Sequence, residues 1–545
     1  MGLDIRTAQK VNQLVYAAAG GYIAKIRVEP FGFGRAIYIN HPNGLTTLYA
    51  HLNDFNPALE KYVEEQQYNQ QTWAIELDFT PQQFPVSKGS FIAYSGTTGG
   101  SQGPHVHFEI RDTKTDKCLN PLLFGMPLKD NVPPTLVKLA LYDRSFSVYE
   151  QTPKFFSLAK KGNNYFIANK QVLKTGLKKL SFAIQAYDRI NGSNNQDGIY
   201  SAQLFLDGRP VAGFEIDSID YDETGYMNAH IDFRYKHNGG PYLQHVAQLP
   251  GDQGPVYKQY SGDGTIYLND TIVHMVRMEI KDAYGNMAAL DFSIRYDRHL
   301  QGLGAHPAHE HFSPNFVNIL EKPGFEIYMP DTCLYDTIPA LYYTINRQSP
   351  GALSAVHSLN DPSIPVHGSF TARIRLADEL PGKWYDKIIL QQEHGNKKRF
   401  RKAKVENGFA VADFEDFGSL RAFLDLEPPT INALGHGDTI NLSAAKRIVF
   451  QPKDNFAVKG FRAELNGQWL RFTNDKGRSY VYNFDERCPY GVHQLKVVVE
   501  DLAGNTTTKT WWFKKYPYTP PIKKKVVKKG GSKKKKTTAT KKRKK

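Results

Sequence analysis

The sequence predicts an all-β protein that is divided into several domains. Its 545 residues include 44 Gly, 31 Pro, 31 Tyr and 32 Phe, and aromatic residues favour strands whereas Gly and Pro favour turns. Long stretches with helical periodicity are few, and short alternations of apolar and polar residues recur along the chain. The length suits three or four domains at roughly 100–200 residues each.

Residues 1–126 form the first predicted domain, in which short strands are separated by glycine turns. The alternating segments are residues 22–28, 36–39, 46–52 and 106–110. Such alternation is typical of strands with one buried face. An insertion at about residues 56–84 interrupts the pattern, and its residues 58–65 are helix-like.

Two later segments form an imperfect repeat. In each copy a strand enters an Asp-x-x-Gly-Asn turn, at residues 282–286 and 501–505, and leaves as an alternating strand. This spacing is typical of immunoglobulin-like β-sandwiches. The sequence therefore predicts a β-sandwich at residues 127–299, a β-rich domain at 300–425 and an Ig-like sandwich at 426–514.

Four aspartates lie at turns of the repeated segments: Asp188, Asp282, Asp454 and Asp501. Asx-turn capping explains them, because a short carboxylate accepts hydrogen bonds from the backbone a few residues further on. Calcium binding is the alternative that the sequence leaves open.

Residues 515–545 are a low-complexity Lys, Thr and Gly segment that is predicted to be disordered. Residues 523–545 carry fourteen Lys or Arg and no acid, which leaves about +1 of the net charge of +15 for residues 1–522. The tail suits an anionic envelope polymer, but it lacks the interleaved aromatic residues that stack on bases, so no specific nucleic-acid binding is expected. No run of about 18 apolar residues occurs, and no membrane span is predicted.

The strongest local signal for chemistry is the segment Gly96-Thr97-Thr98-Gly99-Gly100-Ser101-Gln102-Gly103-Pro104-His105-Val106-His107-Phe108-Glu109. Because residues i and i+2 of a strand share a face, His105 and His107 point together. The pair alone is a weak signal, since histidines on a solvent face give the same pattern. Two further elements support a metal site: Gly2-Leu3-Asp4 near the start and Tyr49-Ala50-His51-Leu52 at the end of a strand.

Taken in this order, the three elements resemble the lysostaphin/LytM-type zinc metalloendopeptidases, metallopeptidase family twenty-three. The resemblance covers about residues 1–126 and implies a LytM-type β-sheet peptidase domain. It implies that Asp4 and His107 bind zinc (Zn2+), and that His51 and His105 lie beside the metal as catalytic residues. Such a site would hydrolyse peptide cross-links or stems of bacterial peptidoglycan with metal-activated water.

One ligand of the family pattern is not in the sequence. The family has a histidine four residues before the metal-binding aspartate, which would place it one residue before Met1. We expect the reading frame to continue upstream with this histidine and a signal peptide, which implies a protein of the periplasm, the cell envelope or the exterior. The alternative is a catalytically inactive LytM-type domain that acts as a binding or regulatory module for other cell-wall hydrolases. The sequence does not indicate which peptide bond is cut.

Overall fold

The computed structural model describes residues 1–169, 171–302, 310–377 and 380–520. Their architecture is almost entirely β, which confirms the predicted fold class. Within these ranges no helix combines the length and the apolar character that crossing a bilayer requires. The tail predicted to be disordered, residues 515–545, begins at Lys515, which is the last residue of the strand Thr506–Lys515. Its residues 521–545 lie outside the described residues.

The first domain contains a main sheet, a smaller sheet and one long helix, α1 (Pro57–Gln70). Its strands are β1 (Leu3–Arg6), β2 (Leu14–Tyr16), β3 (Gly21–Val28), β4 (Arg35–Asn40), β5 (Leu45–Ala50), β6 (Leu52–Phe55), β7 (Ile75–Asp78), β8 (Pro85–Val86), β9 (Phe91–Ser95), β10 (His105–Asp112) and β11 (Cys118–Leu119). The main sheet has the order β11-β10-β5-β4-β3-β7, and β1 also pairs with β10. The smaller sheet has the order β2-β9-β6.

Strand β10 separates the core of this domain from its functional face. Val106, Phe108 and Ile110 are buried in the core. The side chains of His105, His107 and Glu109 alternate with these three along the strand, and they therefore point to the other side of the sheet. The alternation seen in the sequence thus fixes which face of β10 carries polar groups.

Helix α1 occupies the insertion in which the sequence predicted a helix, and the prediction is confirmed. The Asn56 side chain accepts a hydrogen bond from the Leu59 N–H, and a proline occupies the first turn. Both features are typical of helix starts. The helix ends at Gln70, and the capping residue Gln71 has a left-handed backbone with φ of 51°. Leu59 and Val63 anchor it to the core.

The segment that follows the first domain is also built from strands, and the predicted hairpin around residues 282–286 is present. Its last two strands, His274–Lys281 and Met287–Tyr296, pair in antiparallel fashion. The other strands of its sheet are Thr135–Asp143, Lys154–Lys161, Asn164–Ile167, Val172–Thr175, Lys179–Tyr187, Ser201–Leu206, Arg209–Glu215, Gln244–His245, Tyr257–Gln259 and Ile266–Tyr267. The short helices are Met227–His230 and Phe233–His237.

The next segment forms two packed sheets and a small additional pair of strands. One sheet contains Asn318–Lys322, Phe325–Met329, Pro365–Arg375, Lys404–Glu406 and Phe409–Asp416. The other contains Tyr342–Ile345, Val356–Leu359, Ile388–His394, Lys397–Lys402 and Gly418–Leu424. The pair consists of His311–Phe312 and Ile338–Pro339.

The last domain is again a sandwich, and its final hairpin turns at residues 501–505 as the sequence predicted. Its strands are Thr439–Asn441, Arg447–Phe450, Val458–Leu465, Gln468–Trp469, Tyr480–Asn483, Gly491–Asp501 and Thr506–Lys515. The last two pair in antiparallel fashion.

Several contacts cross the predicted domain boundaries. The strand Ser218–Ile219 pairs with β11 and extends the main sheet of the first domain. One buried cluster joins Tyr142 and Tyr149 of the first sandwich to Phe325 and Phe370 of the following segment. The boundaries at 126, 299, 425 and 514 stay predictions.

Candidate functional site

Strands β1 and β10 bring Asp4 and His107 together. The two residues are directly opposite in the antiparallel pairing, where side chains on one face lie within contact distance. The Asp4 Oδ1 atom lies 3.0 Å from the His107 Nδ1 atom. Residues 103 positions apart in sequence therefore present one carboxylate oxygen and one imidazole nitrogen to the same point.

His105 lies two residues before His107 on the same face. Its Nε2 atom is 3.5 Å from Asp4 Oδ1, and its Nδ1 atom is 2.8 Å from the carbonyl oxygen of Gly103. The carbonyl can only accept, so Nδ1 carries the proton and Nε2 faces the Asp4 side.

His51 completes the group of four residues that the sequence indicated. Its backbone is left-handed, with φ of 59°, a conformation that costs a non-glycine residue about 1 kcal/mol or more. Its ring centroid lies 4.9 Å from that of His105 and 5.9 Å from that of His107. Burial is the main cause that lowers the pKa of His51 to about 4, so the ring is neutral near pH 7.

Glu109 is a functional residue of this site that sequence reasoning missed. It is only 1% exposed, and its Oε1 atom lies 2.9 Å from His107 Nε2. Although burial alone would raise its pKa, the hydrogen bond with His107 and the charge of Arg111 lower the pKa of Glu109 to about 2. The carboxylate therefore accepts from the Nε2–H of His107 and orients the ring. Although burial alone would lower the pKa of His107, its hydrogen bonds with Glu109 and Asp4 raise it. The sequence did contain a signal for this residue, because Glu109 lies two residues after His107 and therefore shares its face of the strand.

Arg111 and Tyr221 hold Glu109 in turn. The Arg111 guanidinium donates to Glu109 Oε2 at 2.6 Å, and the Tyr221 hydroxyl donates to Oε1 at 2.8 Å. Tyr221 reaches the site because the strand Ser218–Ile219 pairs with β11. No local pattern in the sequence could have linked Tyr221 to a site more than 100 residues away.

Glycines are required where the backbone closes around the cluster. A Cβ atom on Gly2 would lie 2.7 Å from Cε1 of His107. Gly34 and Gly99 both have positive φ, and a Cβ atom on Gly99 would lie 2.3 Å from the Gly34 nitrogen. The two glycine loops therefore touch backbone to backbone, which only glycine allows.

The donor set supplies two of the three protein ligands that a catalytic zinc site uses. Two atoms bound to one zinc ion at about 2.0–2.1 Å with tetrahedral angles lie about 3.3 Å apart, close to the 3.0 Å between Asp4 Oδ1 and His107 Nδ1. A metal-binding imidazole commonly donates its other N–H to a carboxylate, as His107 does to Glu109. The Asp4 side chain is 65% exposed, so the site is open on the side where a substrate would approach.

A cavity of about 630 Å³ lies on the same face of the main sheet. Its lining includes Phe33, Tyr38 and Tyr221, and the Phe33 ring centroid is 5.8 Å from that of His107. The volume is within the range of small-ligand sites. The cluster therefore adjoins a groove that has aromatic walls.

The last domain contacts the first beside the cluster. Asp475 Oδ1 accepts a hydrogen bond from the Gly99 N–H at 2.8 Å. The Lys476 Nζ atom donates to the carbonyl oxygens of Gly99 and Ser101 at 3.0 and 2.6 Å. Residues of the last domain thus hold the glycine loop that precedes His105 in the first domain.

We expect Asp475→Ala to increase the hydrogen-exchange rate of the Gly99 amide by about tenfold. The variant removes the acceptor of that N–H, and such a hydrogen bond contributes about 1–1.5 kcal/mol. The control is Lys459→Ala, which removes an exposed ion pair with Glu500 in the same domain. Equal exchange at Gly99 in all three proteins would show that the contact does not hold the loop.

Comparison with known proteins relates both the first domain and the β-rich segment to described families. The model of peptidase family M23 matches residues 1–69, and that of a Zu5-like domain matches residues 309–425. The DD-carboxypeptidase/endopeptidase Mpg of Neisseria meningitidis serogroup B is 33% identical over 113 residues, which cover 21% of this chain and 20% of the relative. An uncharacterized metalloprotease of Haemophilus influenzae is 29% identical over 126 residues, which cover 23% and 21%.

Among solved structures, the catalytic domain of the antimicrobial peptidase lysostaphin from Staphylococcus simulans is 22% identical. The match covers 21% of this chain and 71% of that one, with a TM-score of 0.16. The chain spans about a fifth of the length of the curated relatives it matches.

The family model and these relatives place the first domain in the metallopeptidase class of domains. More particularly, it is a LytM-type domain of peptidase family M23, as the resemblance in the sequence indicated. Residues 1–126 are called the peptidase domain below.

Proposed function

We propose that the peptidase domain is a zinc-dependent endopeptidase that hydrolyses peptide cross-links or stems of bacterial peptidoglycan. The observation that carries the proposal is the pair of Asp4 Oδ1 and His107 Nδ1, 3.0 Å apart, with the second nitrogen of His107 bonded to a buried carboxylate. The relative Mpg, whose name describes a DD-carboxypeptidase/endopeptidase, supports the substrate class. We also propose a periplasmic, envelope or secreted location, where peptidoglycan lies.

Asp4 and His107 would bind the zinc ion, and Glu109 would hold the His107 ring in its binding orientation. A zinc ion supplies Lewis acidity, which activates water and polarises a peptide carbonyl. His51 donates from Nδ1 to the carbonyl oxygen of Thr98 at 2.9 Å. Its neutral Nε2 is therefore available to accept a proton from the attacking water.

His105 has a different role in this proposal. Its Nδ1 proton is held by the Gly103 carbonyl, so the ring orientation is fixed before substrate binds. Nε2 then faces the cluster, where a protonated imidazole can donate to the oxyanion that forms on the scissile carbonyl.

The proposal predicts that activity follows zinc content. The protein is incubated with purified sacculi, and soluble peptide fragments and bound zinc are measured before and after treatment with a chelator. We expect fragment release to fall to background when zinc is removed and to return when zinc is added. A protein that binds no zinc and releases no fragments would contradict the proposal and would favour a binding or regulatory role.

Binding of an anionic envelope polymer by the Lys-rich tail stays a prediction, because residues 521–545 lie outside the described residues.

A further inference from the structure

Three carboxylates converge where the peptidase domain passes into the first sandwich. They belong to Asp130 in the linker between β11 and the strand Thr135–Asp143, Asp188 after the strand Lys179–Tyr187, and Asp282 after the strand His274–Lys281. One oxygen from each lies within 4.8 Å of the other two. The linker and two separate strand ends of the sandwich therefore meet at one point.

The same arrangement occurs at the start of the last domain. Asp425, Asp454 and Asp501 also bring one oxygen each within 4.8 Å of the others. Asn286 in the first group donates to Asp282 Oδ2 at 2.7 Å and to the Asp130 carbonyl oxygen at 3.3 Å.

Asn505 repeats both contacts in the second group, with Asp501 Oδ2 at 2.9 Å and the Asp425 carbonyl oxygen at 3.2 Å. The two groups thus share a linker aspartate, a turn aspartate and an asparagine.

Turn capping accounts for only some of the oxygens of these carboxylates. Asp282 Oδ1 does accept from the N–H groups of Tyr284 and Asn286. However, Asp188 Oδ1 and Asp425 Oδ2 have no hydrogen-bond partner among the described residues, although the two residues are only 5% and 1% exposed. A buried carboxylate oxygen without a partner is strongly disfavoured.

The charge of each group is also uncompensated. None of the six aspartates forms an ion pair with a Lys, Arg or His of the described part of the chain. Burial, and then the charges of Asp282 and Asp130, raise the pKa of Asp188 to about 7, against an opposing backbone hydrogen bond from Arg189. Three carboxylates this close repel one another unless a cation lies between them.

We propose that each group is a calcium site that fastens a domain to the linker that precedes it. The donors that converge are oxygens, and no His or Cys belongs to either group, so a hard cation is preferred over zinc. Ca²⁺ accepts six to eight oxygens in irregular geometry, whereas Mg²⁺ demands a near-ideal octahedron. The second site holds the domain whose Asp475 and Lys476 contact the glycine loop of the peptidase domain.

The test is a calorimetric titration of the full chain with CaCl2 after removal of divalent metals. We expect two Ca²⁺ per chain, a rise in Tm of at least about 3 °C at saturating Ca²⁺, and binding of Mg²⁺ at least tenfold weaker. Asp282→Asn and Asp501→Asn should each remove one site, and the double variant should remove both. The control is Asp291→Asn, which alters an exposed partner of Arg277 in the first sandwich and should keep both sites.

The titration of the wild-type protein tests whether the chain binds Ca²⁺ even if a variant fails to fold. Absence of saturable heat and of a Tm shift in the wild-type protein would overturn the proposal. Unchanged stoichiometry in both folded single variants would overturn the assignment to these residues, and equal or tighter binding of Mg²⁺ would overturn the choice of calcium. None of these outcomes depends on peptidase activity, so the proposal stands apart from the proposed function.

Discussion

His107→Ala is expected to lower the rate of fragment release from sacculi by more than about 100-fold and to lower bound zinc in parallel. The variant removes the imidazole that faces Asp4 Oδ1 at 3.0 Å. Loss of a residue that only orients a ligand already costs roughly 10- to 100-fold in affinity or activity, and loss of the ligand itself should cost more. Both quantities are measured on the same preparation, by fragment release and by metal analysis.

The matched control is His436→Ala, because His436 is exposed and belongs to the last domain. It should retain both zinc and activity. A His107→Ala protein that keeps its zinc and hydrolyses sacculi at the wild-type rate would contradict the proposed metal site.

Glu109→Ala is expected to destabilise the peptidase domain by about 3 kcal/mol. Arg111 is only 3% exposed, and the substitution leaves its charge buried with Asp116 as the remaining carboxylate partner at 3.0 Å. The cost therefore lies at the lower end of the range for a broken buried pair, about 3–5 kcal/mol. Hydrogen exchange of the β10 amides in the full chain measures the loss.

Two comparison variants separate the contribution of Glu109 to stability from its contribution to zinc binding. Glu76→Gln removes exposed ion pairs with Lys25 and Arg27 and should cost less than about 1 kcal/mol. The double variant Glu109→Leu with Arg111→Met replaces the buried pair by apolar groups and should recover most of the stability.

Zinc affinity should stay reduced in that double variant, because His107 has lost its carboxylate partner. Recovery of both stability and zinc affinity would show that Glu109 does not orient the ligand.

Much of the peptidase domain could be predicted because its signals are local. Alternation in residues 106–110 determines which side of β10 is buried, so the shared face of His105 and His107 follows from chain geometry alone. The helix in the insertion was predicted from its composition, and Asn56 and Pro57 add start signals that lie next to each other. The turns of both terminal hairpins were predicted from five consecutive residues.

The position of Asp4 could not be predicted from local sequence patterns. Its place opposite His107 depends on the register of β1 against β10, which spacing along the chain does not specify. The resemblance to a known family supplied that partner in advance. Without the resemblance, an aspartate four residues from the start would have been one acidic residue among 54 Asp and Glu.

The aspartates of the two sandwiches were interpreted as turn caps because capping is the interaction that sequence rules describe. That interpretation accounts for Asp282 Oδ1, which accepts two nearby N–H groups. It gave no reason to consider Asp130 or Asp425, which lie in the linkers. Only the path of the folded chain shows that these linkers return to the same turns.

The sequence by itself determined the all-β class, the face that carries the histidines and the glycine loop beside them, because these depend on neighbours a few residues apart. The tertiary structure alone decided that Tyr221 holds Glu109 behind His107, and that Lys476 holds the glycine loop. Such contacts join residues 100 to almost 400 positions apart. They depend on how separate sheets and domains pack, and packing is set by the whole buried surface rather than by any short pattern.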